Sequence, residues 1–409
     1  MVLVFLWLLV WGAMFSGPWY ISSPKFLEDP LTFFQGIRAF LPMAAIFVSL
    51  LWILAKRPRY LFPGSAMRFL GAYSLTGLLT SLFLSPLVGE SLYWSGLYLS
   101  PLLVTWCAFE EANPKAGVKR LIYVNYVVFF LITISLLPES VRAGWGNTPL
   151  NQQYRLPLGL GSILTNGAGR FALVVIVVSA VRLITQSKKS RWVWLLFLPP
   201  TLFLLTQTQS RTALLGLAVS SVLFVLLRGM DWRYLFFGPV AAGVIYISGI
   251  KWRLHGNLGR LMLLSGREAT WHRGLEQINH SPFLGWGFHA DRIVLQSEHM
   301  HNSFLHAMIQ TGLVGALFFL AAFLSIWFVI FRPGLFSRAR AMRGTDQALL
   351  MESIMIVGFL TARSVFESTG AFYGVDLLLL VPAMAFIALA AQEGVESGPE
   401  SSGPLPDTE

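Results

Sequence analysis

The stretch LVGALFFLAAFLSIWFVIF at residues 313–331 contains no charged side chain. An apolar run of about 20 residues is long enough to cross the hydrocarbon core of a bilayer as one helix. Comparable runs recur along nearly the whole chain of 409 residues, of which 55% are hydrophobic and only 12% charged. Soluble domains average about 25% charged residues. The composition therefore excludes a soluble enzyme and predicts an all-α integral membrane protein.

The hydropathy pattern predicts about twelve transmembrane helices. They lie near 2–19, 33–54, 67–86, 92–109, 119–137, 160–184, 192–208, 211–228, 233–250, 303–331, 347–366 and 372–391. The loops after the even-numbered spans, in which we count Arg182, carry more than half of the basic residues. Short cytoplasmic loops are enriched in Lys and Arg. This side is therefore predicted to be cytoplasmic and to hold both termini.

The spans divide the chain into four parts. Residues 1–250 hold spans one to nine, and residues 303–391 hold spans ten to twelve. Between them, residues 251–302 form one large loop on the non-cytoplasmic side, in which Asn257 to His280 has the apolar spacing of amphipathic helices. Residues 392–409 are acidic and rich in Gly, Pro and Ser, and we expect a disordered cytoplasmic tail.

The net charge of +10 comes from 30 Lys and Arg against 20 Asp and Glu. Nucleic-acid binding would need a compact basic face, whereas these charges are scattered through short loops, so no nucleic-acid partner is expected. The single cysteine, Cys107, excludes an internal disulfide framework.

All seven histidines lie between His255 and His306, in or beside the large loop. This clustering predicts that the loop carries proton or ligand chemistry. His301 comes just before span ten, for which Asn302 or Ser303 is a candidate N-cap. The positive end of the helix would keep its imidazole neutral and available as a base. The alternative is a hydrogen-bonded interfacial histidine.

A metal site is a second interpretation of this segment, because His299 and His301 are one residue apart and Glu298 is adjacent. It lacks a third and fourth ligand at tight spacing, so we predict no metal and no cofactor.

Two arginines are the candidate anion ligands. Arg211 lies in the polar break Thr206 to Ala213, in the first turn of span eight, where a cation is unfavourable unless an anion accompanies it. With the free backbone N–H groups there, it would bind a phosphate. Arg267 precedes Trp271 by four residues and could hold an anion or pair with Glu268. For Arg211, the alternative is a snorkelling arginine.

Further charged residues are candidate supporting residues. Arg363 and Glu367 are four residues apart at the outer end of span eleven and could be a purely structural ion pair. Asn166 and Arg170 have the same spacing in span six, with the same ambiguity. The remaining candidates are Glu298, His299, Asn302 and Arg155.

Three segments resemble the O-antigen ligase/polymerase superfamily of bacterial inner-membrane glycosyltransferases. They are Gln209-Ser210-Arg211-Thr212-Ala213, then Ser265-Gly266-Arg267 with Trp271 leading into Ser281-Pro282-Phe283-Leu284-Gly285-Trp286-Gly287, and finally His301-Asn302-Ser303-Phe304-Leu305 followed by Thr311-Gly312-Leu313-Val314-Gly315. The motifs cover about 205–320, and the predicted twelve spans extend the resemblance to most of the chain.

The resemblance implies a fold of the GT-C type with one large periplasmic helical loop. It also implies a ligase that moves O-antigen polysaccharide from undecaprenyl pyrophosphate to lipid A–core oligosaccharide at the periplasmic face, without a metal. By resemblance, Arg211 and Arg267 would bind the donor pyrophosphate, and His301 would act as the base. The expected partners are these two lipids and the membrane, with a monomer favoured.

Other functions remain open at this point. A polymerase of the same superfamily would extend the glycan on its lipid carrier, but its members tend to have two comparable large periplasmic loops. A protein-glycosylating oligosaccharyltransferase is a further enzyme alternative. A lipid or anion transporter would need charged residues at mid-membrane in several spans, whereas here the polar groups gather at one face.

Overall fold

A computed structural model of the chain describes residues 1–17, 23, 25, 27–56, 64–143, 153–156, 161–231, 267–296 and 298–396. The described part is helical almost throughout. Its helices are α1 (Val2–Gly12), α2 (Pro30–Ala39), α3 (Leu41–Lys56), α4 (Ser65–Phe83), α5 (Val88–Phe109), α6 (Pro114–Ala143), α7 (Thr165–Thr185), α8 (Lys188–Thr208), α9 (Arg211–Arg228), α10 (Arg267–His280), α11 (Ala290–Val294), α12 (Ser303–Ile330), α13 (Leu335–Ala341), α14 (Gly344–Ser364) and α15 (Val375–Glu396). A short antiparallel hairpin joins β1 (Gln153–Arg155) to β2 (Ser162–Leu164).

Among these residues, eight helical segments are long and apolar enough to cross a membrane. They are Pro30–Lys56, Val88–Phe109, Pro114–Arg142, Thr165–Thr185, Arg211–Arg228, Ser303–Ile330, Gly344–Ser364 and Val375–Glu393. The predicted all-α, multi-pass membrane protein is confirmed. Helices α4 and α8, with 19 and 21 residues, coincide with two more predicted spans.

Several predicted boundaries differ from the structure. Helix α1 ends after 11 residues at Gly12, well short of the predicted 2–19. Helix α15 continues to Glu396, so the tail predicted to be disordered begins with five helical residues. The span predicted at 233–250 and the loop residues 251–266 lie outside the described residues.

The centre of the bundle is built from α14, α15 and α7, and α14 packs against the other two and against α9. A buried ion pair joins α7 to α14, with Arg182 Nε 2.8 Å from Glu352 Oε1. Arg182 is therefore not a loop cation, as the sequence predicted, but a residue of the last turn of α7. Because a buried charge is costly unless it is paired, Glu352 explains how it lies inside the protein.

Charged groups at one end of the bundle connect segments that are distant in sequence. Lys115 Nζ, at the start of α6, lies 3.0 Å from Asp346 of α14 and 2.8 Å from Glu393 of α15. Lys119 also pairs with Asp346. These helix ends share one side of the bundle, as expected if the spans alternate in direction.

Candidate functional site

Two of the sequence motifs pack directly against each other at a break in α12. Gly312 has φ +59°, and the helix changes direction there. The carbonyl of Ile309 accepts a hydrogen bond from Trp286 N–H at 3.0 Å, and that of Gln310 accepts one from Gly287 N–H at 2.8 Å. A Cβ on Gly312 would lie 2.2 Å from the Phe283 carbonyl carbon. The Gly-rich turn after α10 (residues 285–287) therefore satisfies backbone carbonyls of the broken helix. The two segments are so close at Gly312 that no side chain fits there.

The loop before α12 is held by an N-cap. Asn302 Oδ1 accepts hydrogen bonds from the N–H groups of Phe304 and Leu305, both at 3.0 Å. Asn302 Nδ2 donates to the Val365 carbonyl at 2.9 Å. The predicted N-cap is thus confirmed at Asn302, which also joins the loop to the segment after α14. His301 adopts φ +48°, a left-handed conformation that is uncommon for residues other than glycine.

Glu367 brings His301 and Arg267 together. Its Oε2 lies 3.1 Å from His301 Nδ1, and its Oε1 accepts a hydrogen bond from Arg267 Nη2 at 3.0 Å. Oε1 also accepts a hydrogen bond from Asn166 Nδ2 at 3.0 Å. Arg267 Nη1 donates to the Phe366 carbonyl. One carboxylate therefore connects four segments that are far apart in the chain.

Glu367 is ionised although it is almost fully buried, with only 9% of its surface exposed. Burial by itself would raise the pKa of its carboxyl group. The hydrogen bond from His301 and the positive charges of Arg363 and Arg267 outweigh it and lower the pKa to about 2. An ionised carboxylate only accepts hydrogen bonds, so His301 must carry its proton on Nδ1. Nε2 then holds the free lone pair, on a side chain that is 41% exposed.

A second buried group of charges lies beside Glu367. Asp376 Oδ1 is 2.8 Å from Arg170 Nη1, and Asp376 Oδ2 is 3.2 Å from Arg363 Nε. Arg363 Nη1 also donates to Thr212 Oγ1 at 3.1 Å. The sequence offered an Arg363–Glu367 ion pair as one alternative, and that alternative is wrong. The direct partner of Arg363 is Asp376, because the chain turns after α14 and presents Glu367 to Arg267 and His301.

Arg211 is the first residue of α9, and its side chain is exposed. Ser210 is the N-cap, and its Oγ accepts a hydrogen bond from Ala213 N–H at 3.3 Å. The next residue, Thr212, accepts a hydrogen bond from Arg363, so the start of α9 is connected to Asp376, the partner of Arg363. The structure thus places Arg267 and His301 on one carboxylate and Arg211 at a neighbouring helix N-terminus.

The other candidate residues lie in different surroundings. Glu298 is bound to Thr270, at 2.7 Å, and to Arg273, and it fixes the loop to α10. Arg155 is exposed on β1, and its backbone N–H donates to Glu139. His299 lies under His301, with ring centroids 5.0 Å apart. Burial holds the pKa of the His299 imidazole well below its usual range, and the nearby His306 lowers it further.

Sequence reasoning missed the role of Asp376 altogether and left Asn166 and Arg170 undecided. The i, i+4 spacing of Asn166 and Arg170 placed them on one helix face, but they bind two different carboxylates, Glu367 and Asp376. Asp376 follows the glycine-rich segment after α14 and looks like an ordinary helix N-terminal acid. Only the packing of α7 against α14, with the start of α15 beside Arg170, gives these residues their partners.

The fold and this site define a class of helical membrane proteins with arginines and a histidine at one end of the bundle. Residues 198–320 match the family model described as O-antigen ligase, which confirms the predicted resemblance over this segment. Arg211, Arg267 and His301 all lie within it, whereas Glu367 and Asp376 lie beyond it.

The chain is also similar to the exopolysaccharide production protein ExoQ of Rhizobium meliloti (strain 1021). The two are 31% identical over 132 residues. The match covers 27% of this chain and 30% of the relative, so it spans less than a third of either protein.

Proposed function

We propose that the protein is an inverting, metal-independent membrane glycosyltransferase. It would transfer O-antigen polysaccharide from undecaprenyl pyrophosphate to lipid A–core oligosaccharide. The observation that carries the proposal is the Glu367 carboxylate, which is bound at once to His301 Nδ1 and to Arg267 Nη2, at 3.1 and 3.0 Å. The match of residues 198–320 to the O-antigen ligase family supports the choice of reaction.

His301 is the proposed general base. Its Nε2 lone pair would take the proton from an acceptor sugar hydroxyl as that oxygen attacks the anomeric carbon of the donor. Attack from the face opposite the pyrophosphate breaks the glycosyl–phosphate bond and inverts the configuration. Glu367 holds the ring in the required tautomer and stabilises the imidazolium that forms, as the carboxylate does in hydrolase triads. His299, stacked beneath the ring, and the Asn302 cap would position the same loop.

Arg267 and Arg211 are the proposed ligands of the donor pyrophosphate. Arg267 uses two N–H groups on Glu367 and the Phe366 carbonyl. Since a guanidinium has five N–H donors, Arg267 can bind a phosphate oxygen as well. The N-terminus of α9 adds backbone N–H groups beside Arg211. The pair would neutralise the charge that grows on the leaving pyrophosphate. Arg363 would fix the start of α9 through Thr212.

The lipid tail of the donor needs an apolar surface close to these arginines. A largely apolar cavity of about 320 Å³ is lined by Leu8, Trp11, Phe15, Val128, Leu131 and Ile132, and its polar lining residues are Arg38 and Ser135. The Phe15 ring packs on the Phe171 ring, with centroids 6.4 Å apart. Phe171 is the residue after Arg170, the partner of Asp376. One segment of the polyprenyl chain would occupy this cavity, next to the helix that carries Arg170.

The proposed orientation follows the distribution of Lys and Arg. The end that holds Lys115 and Lys119 would be cytoplasmic. The opposite end, with Arg267 and His301, would face the periplasm of a bacterial inner membrane, where both lipid substrates are expected.

A polymerase of lipid-linked glycan is the second candidate. Its support is the similarity to a protein named for exopolysaccharide production. Both reactions use the same donor chemistry and the same base, and they differ in the acceptor alone.

The acceptor therefore tests the proposal. The purified protein is incubated with a lipid-pyrophosphate-linked glycan and, in separate reactions, with lipid A–core, a second lipid-linked unit or a peptide. Product on lipid A–core supports the ligase, and product only on the second lipid-linked unit supports the polymerase. If the donor binds but no product forms with any of these acceptors, the proposed glycosyl transfer is contradicted.

A further inference from the structure

We infer a binding site for one divalent metal ion, with Asp291, His299 and His306 as its ligands. One atom from each residue, a carboxylate oxygen or an imidazole nitrogen, lies within 4.8 Å of the other two. Asp291 comes from α11, His299 from the loop before α12, and His306 from the first turns of α12. The inference is separate from the proposed transfer reaction and does not rest on it.

The distances suit a small metal ion. His306 Nε2 lies 3.5 Å from Asp291 Oδ1, and His299 Nδ1 lies 3.9 Å from Asp291 Oδ2. Zinc binds imidazole nitrogen and carboxylate oxygen at about 2.0–2.2 Å, so its tetrahedral ligand atoms are about 3.4 Å apart. The two measured separations are near this value, and both are longer than an ordinary N–H···O hydrogen bond.

Asp291 supplies an independent reason to expect a cation. It is completely buried, and neither of its carboxylate oxygens has a hydrogen-bond partner in the part of the chain that the structure describes. A buried carboxylate that lacks close donors is costly, and such groups are usually paired or bound to a metal. The two imidazoles stand at the distance of ligands rather than of hydrogen-bond donors.

The imidazoles can present lone pairs to an ion. Ser368 Oγ lies 3.1 Å from His299 Nδ1, and the His301 N–H points at the same nitrogen from 3.4 Å. A nitrogen approached by a backbone donor is an acceptor, so His299 Nδ1 carries no proton. His306 Nε2 lies 2.5 Å from the amide of Gln310, whose oxygen accepts its proton in the better-satisfied amide orientation. When a metal ion binds Nε2, the single ring proton of His306 would move to Nδ1, which has no hydrogen-bond partner among the described residues.

Two imidazoles and one carboxylate favour zinc or another first-row divalent ion over magnesium or calcium. The trio is not the one that the sequence offered, because Glu298 points to α10 and His301 is bound to Glu367. The ion would tie α11 and α12 to the residue two positions before His301. Its role would be to hold this loop, without contact to the reacting atoms.

Cobalt(II) is the probe, because its visible absorption reports tetrahedral coordination. The full-length protein, purified without a polyhistidine tag and stripped with a chelator, is titrated with Co²⁺, and bound metal is measured after gel filtration. The inference predicts one saturable equivalent per chain with a tetrahedral spectrum, and competition by Zn²⁺. Zn²⁺ should also raise the melting temperature of the stripped protein.

Asp291→Asn keeps the shape of the side chain and should abolish both the spectrum and the Zn²⁺-dependent shift in melting temperature. His299→Gln should do the same, and it provides the test if Asp291→Asn does not fold. His272→Gln is the matched control, since His272 is 79% exposed and pairs with Glu276 on α10, and it should bind normally. No saturable binding, or equal binding in the folded Asp291→Asn and His272→Gln proteins, would overturn the inference.

Discussion

His301 Nδ1 lies 3.1 Å from Glu367 Oε2, across 66 residues of sequence. This contact determines which nitrogen of the ring is free, because the ionised carboxylate requires the proton to be on Nδ1. It also brings the loop before α12 to the segment after α14, where Arg267 binds the other oxygen of the same carboxylate. The proposed chemistry depends on this arrangement.

Replacing Glu367 with Gln should reduce turnover more than donor affinity. The amide presents either an oxygen or an N–H group to Nδ1, so it orients the ring less well and stabilises the imidazolium less. We expect kcat to fall by roughly 10²- to 10⁴-fold, the usual range of general-base catalysis, with the donor Kd changed far less. Single-turnover kinetics with separate donor-binding measurements would check this. Weaker donor binding with an unchanged kcat would argue against the positioning role of Glu367.

The pH dependence of stability should reveal the same carboxylate. The folded-state pKa of Glu367 is lowered to about 2, below its usual value of 4.5. Its contribution is therefore fully present above about pH 4.5 and is lost as the pH falls toward 2. The difference in melting temperature between the wild type and Glu367→Gln should shrink over this window. A difference that stays constant from pH 5 to pH 3 would contradict the lowered pKa.

Arg267→Lys and Arg211→Lys should both weaken donor binding, because an ammonium cannot reproduce the bidentate contact of a guanidinium. Losing a hydrogen bond to a charged group costs about 1.5–3 kcal/mol, so we expect roughly 10- to 150-fold weaker binding of the lipid pyrophosphate. Arg273→Lys is the control on α10, where Arg273 pairs with Glu298. Full activity of Arg211→Lys would leave Arg211 as a lipid-facing residue.

Asp376→Asn should destabilise the whole bundle. It would leave the buried Arg363 and the largely buried Arg170 without their shared carboxylate. Removing one partner of a buried ion pair costs about 3–5 kcal/mol. Thermal unfolding in detergent should show a lower melting temperature, whereas Asp346→Asn, at a more exposed cluster, should show a smaller decrease. Equal decreases would mean that burial does not set the cost.

Gly312→Ala should be more destabilising than Gly344→Ala. Both glycines have positive φ angles, +59° and +69°, and both variants therefore carry backbone strain. A Cβ at Gly312 also meets the backbone of Phe283 and Leu284 at 2.2–2.3 Å, while one at Gly344 meets nothing within 4 Å. The difference in melting temperature between the two variants measures the packing of the Gly-rich turn on α12. Equal melting temperatures would mean that the Gly-rich turn moves to accommodate the added Cβ at no cost in stability.

Hydropathy predicted the membrane class and most of the spans, because a lipid-facing or buried helix has to be apolar whatever it contacts. It could not predict that α1 ends at Gly12, or that a hairpin forms between α6 and α7. Those features depend on local packing, such as the hydrogen bond from Arg155 N–H to Glu139. The sequence motif that contains Gly312 was recognised, but neither the break in the helix nor the contact with Phe283 was predicted.

The candidate site was predicted in part for a related reason. His301 and Arg267 stood out because polar residues beside apolar runs are few. Glu367 was a candidate whose only suggested partner was its neighbour at i−4, since spacing reports contacts within a helix alone. The contacts that matter cross 66 and 100 residues of sequence. The Asp291–His299–His306 group escaped attention because Asp291 lies in a five-residue helix that no periodicity predicts.

The most direct test of the central claim compares purified wild-type protein with His301→Ala in a reconstituted transfer reaction, using a lipid-pyrophosphate-linked glycan and lipid A–core. Donor binding is measured in parallel on the same preparations. We predict that His301→Ala binds the donor as tightly as the wild type and loses transfer by at least about 10²-fold. Turnover near the wild-type rate in His301→Ala would contradict the assignment of His301 as the base.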